Sequence, residues 1–480
     1  MTALNSLLFL LLALIVTLLV ASNAALPNPV NHSKGLNSQT NLDETPLSYD
    51  PDQPLILTPY LDRGDIETAR SLSKVGKLPN APYIPSYSGF FTVDKNHGSN
   101  MLFWFFPAQN NNTEAPVILW LDGGPGETGL FGLYTVNGPY IVYQNLSVGL
   151  RPQTWNREFH MIYVDSPVGT GFSFTNDDGG YVTNEDELAD DLYEFLQQFF
   201  MLFSEYSSND FYVLGESYAG KFVAAISYKI HSAGPPSQVK FKGLSIGNGF
   251  CDPKTQMNYS DHFYQLGLVD SRQAAVIKLE AEKAVKDIDE ENFNAAFSHL
   301  NSIVKLIPDL TNPNYLLKFA GYNTPYNFLY TEKAKNLCYF IDYIELPEFR
   351  KAIHIGNTHF SDGKKVFKFL SQDVMKTVRP KLVPLMNNYK TLIYNGQLDL
   401  SMPFTLMKDF LSTVDWKFSD DLKKAERKIW KLDGKVAGYV HTVGDFYLAL
   451  VRLAGHLVPY DQPDFALDLI TRFIKGIPYA

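Results

Sequence analysis

The chain has 480 residues, of which 45% are hydrophobic and 19% charged, and its formal net charge is −10. That composition excludes an intrinsically disordered chain, a coiled coil and a collagen-like repeat. No block of basic residues breaks the acidic balance, so neither nucleic acid nor an anionic membrane is an expected partner.

The chain opens with Met1-Thr-Ala-Leu-Asn-Ser, then an uncharged run from Leu7 to Val20, then Ala21-Ser-Asn-Ala24. Residues 1–24 read as a signal segment cut after Ala24, although its first residues carry no Lys or Arg. The run is shorter than the roughly 20 residues a bilayer span needs. No stable membrane span is therefore expected once it is removed. Secretory entry makes Asn31, Asn111, Asn145 and Asn258 available as glycosylation sequons. The two cysteines, Cys251 and Cys338, form either one disulfide in an oxidising compartment or two free thiols. Residues 25–80 are rich in Pro, Asn and Ser and read as a propeptide or surface arm, with Leu55-Ile-Leu-Thr-Pro-Tyr60 its hydrophobic knot.

Beyond the arm, apolar runs of strand length alternate with helical patterns. Strands are predicted at Gly89–Val93, Met101–Phe106, Val117–Leu121, Met161–Val164, Phe211–Leu214, Phe241–Ile246 and Thr391–Tyr394. Val117–Leu121 and Phe211–Leu214 are apolar at successive positions, as a parallel sheet covered on both faces requires. A helix is predicted from the capping-box-like start Thr183-Asn-Glu-Asp, with Leu188, Leu192, Phe195, Leu196, Phe199, Phe200 and Phe203 on one stripe. The alternation argues for an α/β chain with a central, mostly parallel sheet. Residues 252–340 lack strand-length runs and carry helical segments at Ser271–Asp287 and Glu291–Ile307. They read as a helical cap insertion over the sheet's active edge, leaving 81–251 and 341–480 as the core.

Two stretches compete as a nucleophile motif of the form G-x-S-x-G. Gly243-Leu-Ser245-Ile-Gly247 fits letter for letter, yet Ser245 lies within an apolar run and the turn Asn248-Gly249 follows it. Gly215-Glu-Ser217-Tyr-Ala-Gly220 is a near match, but a strand precedes it and a helical run follows, with small residues where the chain must fold tightly. Ser217 is therefore the expected nucleophile and Ser245 a buried strand residue. A serine needs a base, and the base needs an orienting acid. Asp399, after the strand Thr391–Tyr394, is placed as the acid. Of the two later histidines, His441 falls in a predicted hairpin strand and His456 in a loop, so His456 is placed as the base. Oxyanion donors are expected from the N–H of Tyr218 and from the glycine turn Trp120-Leu-Asp-Gly123-Gly124-Pro-Gly126. His354 and His359 lack metal-ligand spacing, and no metal or other cofactor is expected.

These blocks resemble the serine carboxypeptidases, secreted and lysosomal enzymes of the α/β-hydrolase fold. The matching stretches are Trp120–Gly126, Val164-Asp-Ser-Pro-Val-Gly-Thr-Gly-Phe-Ser173, Gly215–Gly220, Tyr394-Asn-Gly-Gln-Leu-Asp399 and Gly455-His-Leu-Val-Pro459, in family order. Leu57-Thr-Pro-Tyr60 further resembles the vitellogenic-like branch. The resemblance implies a triad of Ser217, Asp399 and His456, and oxyanion donors at Gly124 and Tyr218. It also implies a site for the substrate's C-terminal carboxylate around Asp122, Gly123 and Glu216. The chain departs from the family there: Asp122 stands where Asn is expected and Val136 where a second Glu belongs, and Glu127 and Thr128 replace the usual residues after the glycine turn. Ionised Asp122 would repel a substrate carboxylate, so that recognition is expected mainly at acidic pH, or is weakened. The resemblance implies a secreted or lysosomal serine carboxypeptidase acting on peptide and protein C-termini through an acyl-enzyme. A related acyltransferase or esterase, or a non-catalytic secreted protein on the same scaffold, are the alternatives. Side-chain preference and oligomeric state are not legible.

Overall fold

The computed structural model describes residues 49–235, 239–306 and 313–479. The expected signal segment, Asn31 and the first part of the arm lie outside the described residues.

Ten strands form one sheet: β1 (Tyr87–Asp94), β2 (Ser99–Phe106), β3 (Val117–Leu121), β6 (His160–Val164), β7 (Asp210–Glu216), β8 (Lys240–Gly247), β9 (Lys390–Gly396), β10 (Lys428–Leu432), β11 (Lys435–Val443) and β12 (Phe446–Val451). The short β4 (Tyr140–Val142) and β5 (Val148–Leu150) pair separately as a hairpin. The spatial order is β1-β2-β6-β3-β7-β8-β9-β12-β11-β10. From β6 to β12 the neighbours run parallel, and antiparallel pairs finish both edges. Every predicted strand falls inside one of these. The reason is visible in β3: Leu119 and Leu121 enter the core on one face while Ile118 and Trp120 enter it on the other. A strand covered twice has no position left for a polar side chain.

The predicted amphipathic helix runs over Glu185–Leu202, and its cap is Asn184 rather than Thr183. The Asn184 side chain accepts the N–H groups of Asp186 and Glu187, each at 3.0 Å. Glu187 in turn accepts the Thr183 N–H at 2.7 Å. One residue of register separates the cap from its look-alike, and Asn caps as well as Thr. The aromatic stripe of this helix packs edge-on against the sheet, with Phe195 and Phe199 against Phe103.

Residues 252–340 carry the helices Tyr259–Gln265, Ser271–Asp289, Phe293–Val304 and Tyr315–Ala320, with no strand among the described residues. The described part of the expected arm is not a loose surface segment. Leu55 and Leu57 are fully buried, and they clasp β1: the Leu57 N–H donates to the Phe90 carbonyl at 2.8 Å and the Phe90 N–H to the Leu55 carbonyl at 2.9 Å. The hydrophobic knot is therefore an extra edge contact of the sheet. The possible disulfide is also absent: Cys251 and Cys338 are free thiols, the first buried and the second exposed. Cys251 packs in the core on one sheet face, whereas Leu337, beside Cys338, packs on the other. No helix among the described residues is long and apolar enough to cross a membrane.

Candidate active site

At the carboxyl end of β7 the chain turns sharply. Ser217 has φ of +63°, and the helix Ala219–Ala233 begins two residues later. A left-handed backbone costs a non-glycine residue about 1–2 kcal/mol, so something must hold it. The Ser217 N–H donates to the Gly247 carbonyl at 2.9 Å, and the Ser217 carbonyl accepts the Phe250 N–H at 3.0 Å. The small neighbours are required by space: a Cβ at Gly215 would fall 2.7 Å from the Leu121 carbonyl oxygen. Ser245, the letter-perfect competitor, lies fully buried inside β8.

The glycine turn after β3 closes on this elbow. A Cβ at Gly123 would stand 2.8 Å from the Tyr218 nitrogen and 2.9 Å from the Ser217 Cβ. Only glycine permits that approach. Gly124 follows with φ of +106°. Among the described residues, neither the Gly124 N–H nor the Tyr218 N–H donates to any acceptor, and both residues line the cavity that Ser217 lines. Two such donors beside a hydroxyl form an anion-binding arrangement.

Asp399 follows β9 and is almost fully buried. It accepts the Asn248 side-chain N–H at 2.5 Å, the Ser401 backbone N–H at 2.7 Å and His456 Nδ1 at 2.9 Å. His456 comes from the loop after β12. Its backbone N–H donates to the Tyr326 carbonyl at 2.6 Å, and the Tyr326 ring stacks on the imidazole, centroids 5.3 Å apart. Burial opposes charging His456, but the charge and hydrogen bond of Asp399, with Glu216 and Asp461, outweigh it and raise its pKa. With Nδ1 committed to Asp399, Nε2 is the nitrogen left to serve the cavity. Ser217, Asp399 and His456, spread over some 240 positions, thus meet at one end of the parallel strands. His441 lies apart in β11, its Nδ1 on the Ala425 carbonyl.

The cavity encloses about 580 Å³. Asp122, Gly123, Gly124, Glu127, Glu216, Ser217, Tyr218 and His456 line it from the sheet edge, and Phe297 and Tyr326 from the 252–340 segment. Asp122 is buried, takes one long hydrogen bond from the Gly132 N–H at 3.3 Å, and has a pKa raised well above normal by burial and then by Glu216 and Glu127. Burial, then the charges of Asp399, Asp461 and Glu127, hold Glu216 at about 8 against the opposing pull of His456. One Glu216 oxygen has no hydrogen-bond partner among the described residues. The departures from family pattern have concrete form here. Val136 is buried in the wide helical turn Gly132–Val136 and brings no polar atom. Thr128 donates to Asp165 at 2.5 Å, so it ties the glycine turn to the neighbouring loop.

Several neighbours were not singled out in the sequence. Asn248 appears there only as half of a turn; its place at the carboxyl end of β8, one strand from Ser217, is the signal that could have found it. Tyr326 had no such signal, since it arrives from a distant loop. Of the expected sequons, Asn111, Asn145 and Asn258 are exposed.

Comparison with known proteins now bears on this site. The family model described as serine carboxypeptidase matches residues 77–476. The probable serine carboxypeptidase CPVL of Homo sapiens is 46% identical over 438 residues, covering 90% of this chain and 91% of that protein. The vitellogenic carboxypeptidase of Aedes aegypti is 41% identical, covering 88% of this chain and 90% of its own. The solved structure of the prohormone-processing carboxypeptidase Kex1 from Saccharomyces cerevisiae superposes with a TM-score of 0.72 over 85% of this chain and 96% of its own. At 21% identity that likeness speaks for the α/β-hydrolase fold alone. The chain belongs to the serine carboxypeptidase family.

Proposed function

We propose that this protein releases single residues from the C-termini of peptides, with Ser217 as nucleophile, His456 as proton carrier and Asp399 as its orienting acid. Ser217 Oγ attacks the carbonyl carbon of the last peptide bond while His456 Nε2 takes its proton. The oxyanion that forms accepts hydrogen bonds from the N–H groups of Gly124 and Tyr218. Collapse breaks the C–N bond, His456 returns the proton to the departing amine, and the C-terminal residue leaves. Water then attacks the acyl-Ser217 ester through the same His456, regenerating the serine and freeing the shortened peptide.

The observation that carries this reading is the Asp399–His456 hydrogen bond at 2.9 Å, opening into the cavity that Ser217 lines. The substrate's free carboxylate is assigned to Asp122, Gly123 and Glu216. Burial keeps Glu216 protonated on the acid side of about 8, and a protonated carboxyl can donate to a carboxylate where an ionised one repels it. This favours carboxylate binding on the acid side of about 8, and the signal-like start and the exposed sequons support a secreted or lysosomal setting. Acyl transfer or ester hydrolysis through the same acyl-enzyme is the second reading, and buried Val136 in the expected Glu position favours it. Mass spectrometry of peptide digestion separates them. Stepwise loss of residues from free C-termini, with amidated peptides cut at least tenfold more slowly, is expected. Equal rates on both would leave the carboxylate assignment without support.

A further inference from the structure

Lys333 is a cation of the same cavity that forms no ion pair among the described residues. It sits exposed in the loop ahead of the turn Lys335–Cys338 and lines the cavity with Ser217 and His456. Its Nζ stands 5.8 Å from the centroid of the Tyr326 ring, the ring that stacks on His456. Among the described residues, no carboxylate lies within ion-pair distance of it. Lys364, on the same wall, is by contrast paired with Asp362 at 3.1 Å. An aromatic face holds an exposed ammonium only loosely. A carboxylate arriving from a substrate would gain a charge-assisted hydrogen bond.

Neither of the two nearby acids forms an ion pair with it. Glu332 accepts both hydrogen bonds of the Asn323 side-chain amide, at 3.1 and 3.2 Å. Glu127 is buried, and burial raises its pKa even though Lys333 pulls the other way.

Position decides which substrate group it meets. Asp122, Gly123 and Glu216 crowd the Ser217 elbow, where the main-chain carboxylate of a C-terminal residue falls. Lys333 approaches the Tyr326 ring that stacks on His456 and lines the same cavity, on the His456 side of the site rather than among those three residues. We propose that Lys333 receives the carboxylate of an acidic side chain flanking the scissile bond, so that the preferred substrates carry Glu or Asp at one of their last two positions. The assignment rests on the catalytic reading of Ser217 and His456 given above.

The test compares the full-length protein with Lys333→Met and Lys333→Arg on peptide pairs with free C-termini, differing only by Glu or Gln at the last or the penultimate position. The readout is the ratio of kcat/KM values at a pH near 6, where the substrate side chain is ionised. The wild type is expected to favour one Glu peptide by about tenfold, the size of one partly exposed charge-assisted contact. Lys333→Met should bring that ratio to near one, and Lys333→Arg should keep most of it. A wild type indifferent to Glu against Gln would overturn the proposal. So would a Lys333→Met protein that slows both members of a pair alike. Selective loss of the distinction between free and amidated C-termini would move Lys333 to the main-chain carboxylate and overturn it as well. Fluorophosphonate labelling of Ser217 on each protein isolates the underlying reading: a wild type that labels yet cuts no peptide defeats the carboxypeptidase assignment itself, and the Lys333 proposal with it.

Discussion

Tyr326 holds His456 at two points, accepting its backbone N–H at 2.6 Å and stacking on its imidazole ring. The two residues come from different parts of the chain. His456 belongs to the loop after the last strand of the sheet, and Tyr326 to the helical segment that walls the cavity. The wall therefore fixes the ring that must carry the proton, and substrate entry and proton transfer share one support. A stacked aromatic pair contributes about 0.5–1.5 kcal/mol beyond its buried area. Tyr326→Ala should then lower kcat by roughly twofold to tenfold, whereas Tyr326→Phe, which keeps ring and carbonyl, should stay near wild type. Steady-state kinetics on one peptide decides between these outcomes.

Asp122 offers a second handle. It stands where the family places an amide donor, and burial, then the neighbouring Glu216 and Glu127, raise the pKa of its carboxyl well above normal. Asp122→Asn supplies the donor at every pH. It should lower KM for peptides with free C-termini by several-fold, increasingly so as pH rises, and leave amidated peptides little changed. A KM insensitive to the substitution at all pH values would remove Asp122 from the carboxylate site.

The pH dependence of activity follows from the same groups. His456 must be neutral to accept the Ser217 proton, and its pKa is raised, so kcat/KM should fall as pH drops through that value. Glu216 must be protonated to donate to the substrate carboxylate, so binding should weaken as pH rises through about 8. A bell-shaped profile is expected for free peptides. Its alkaline limb should be missing for amidated ones.

Stability should carry its own signature. Glu216 at about 8, Glu185 at about 7 and Asp165 at about 6 are all raised, chiefly by burial. A group whose folded pKa exceeds its unfolded value stabilises fully below the unfolded pKa, and that contribution is lost as pH rises through the folded one. Buried His160 and half-buried His262 and His354 have pKa values lowered chiefly by burial and act oppositely, losing stability as pH falls below their ordinary 6.5. Between pH 8 and 6.5 the carboxyls act together with His456, whose raised pKa works in the same direction, so Tm should rise by a few degrees as the solution is acidified over that range. Calorimetry at closely spaced pH values measures it.

The sheet was legible in the sequence because twice-covered strands such as Val117–Leu121 admit no polar residue, and its elbow because a strand precedes Ser217 and a helical run follows it, whereas Ser245 lies within an apolar run. What escaped has physical reasons. The Leu55–Leu57 knot reads as an isolated patch until Phe90 is seen to complete its hydrogen bonds across the edge of the sheet. The two cysteines can be counted in a sequence, but that they attach to opposite faces of a sheet cannot. Tyr326 and Lys333 reach the cavity through tertiary packing of a loop, which leaves no periodicity to read.

The central claim is that Ser217 reacts because His456, oriented by Asp399, takes its proton. Reaction with a fluorophosphonate, followed by peptide mapping, measures this most directly. Label confined to Ser217 is predicted, with the labelling rate reduced by about 10⁴ in Asp399→Asn and no label in Ser217→Ala. A folded protein that takes no label, or takes it equally fast without Asp399 or His456, would contradict the account.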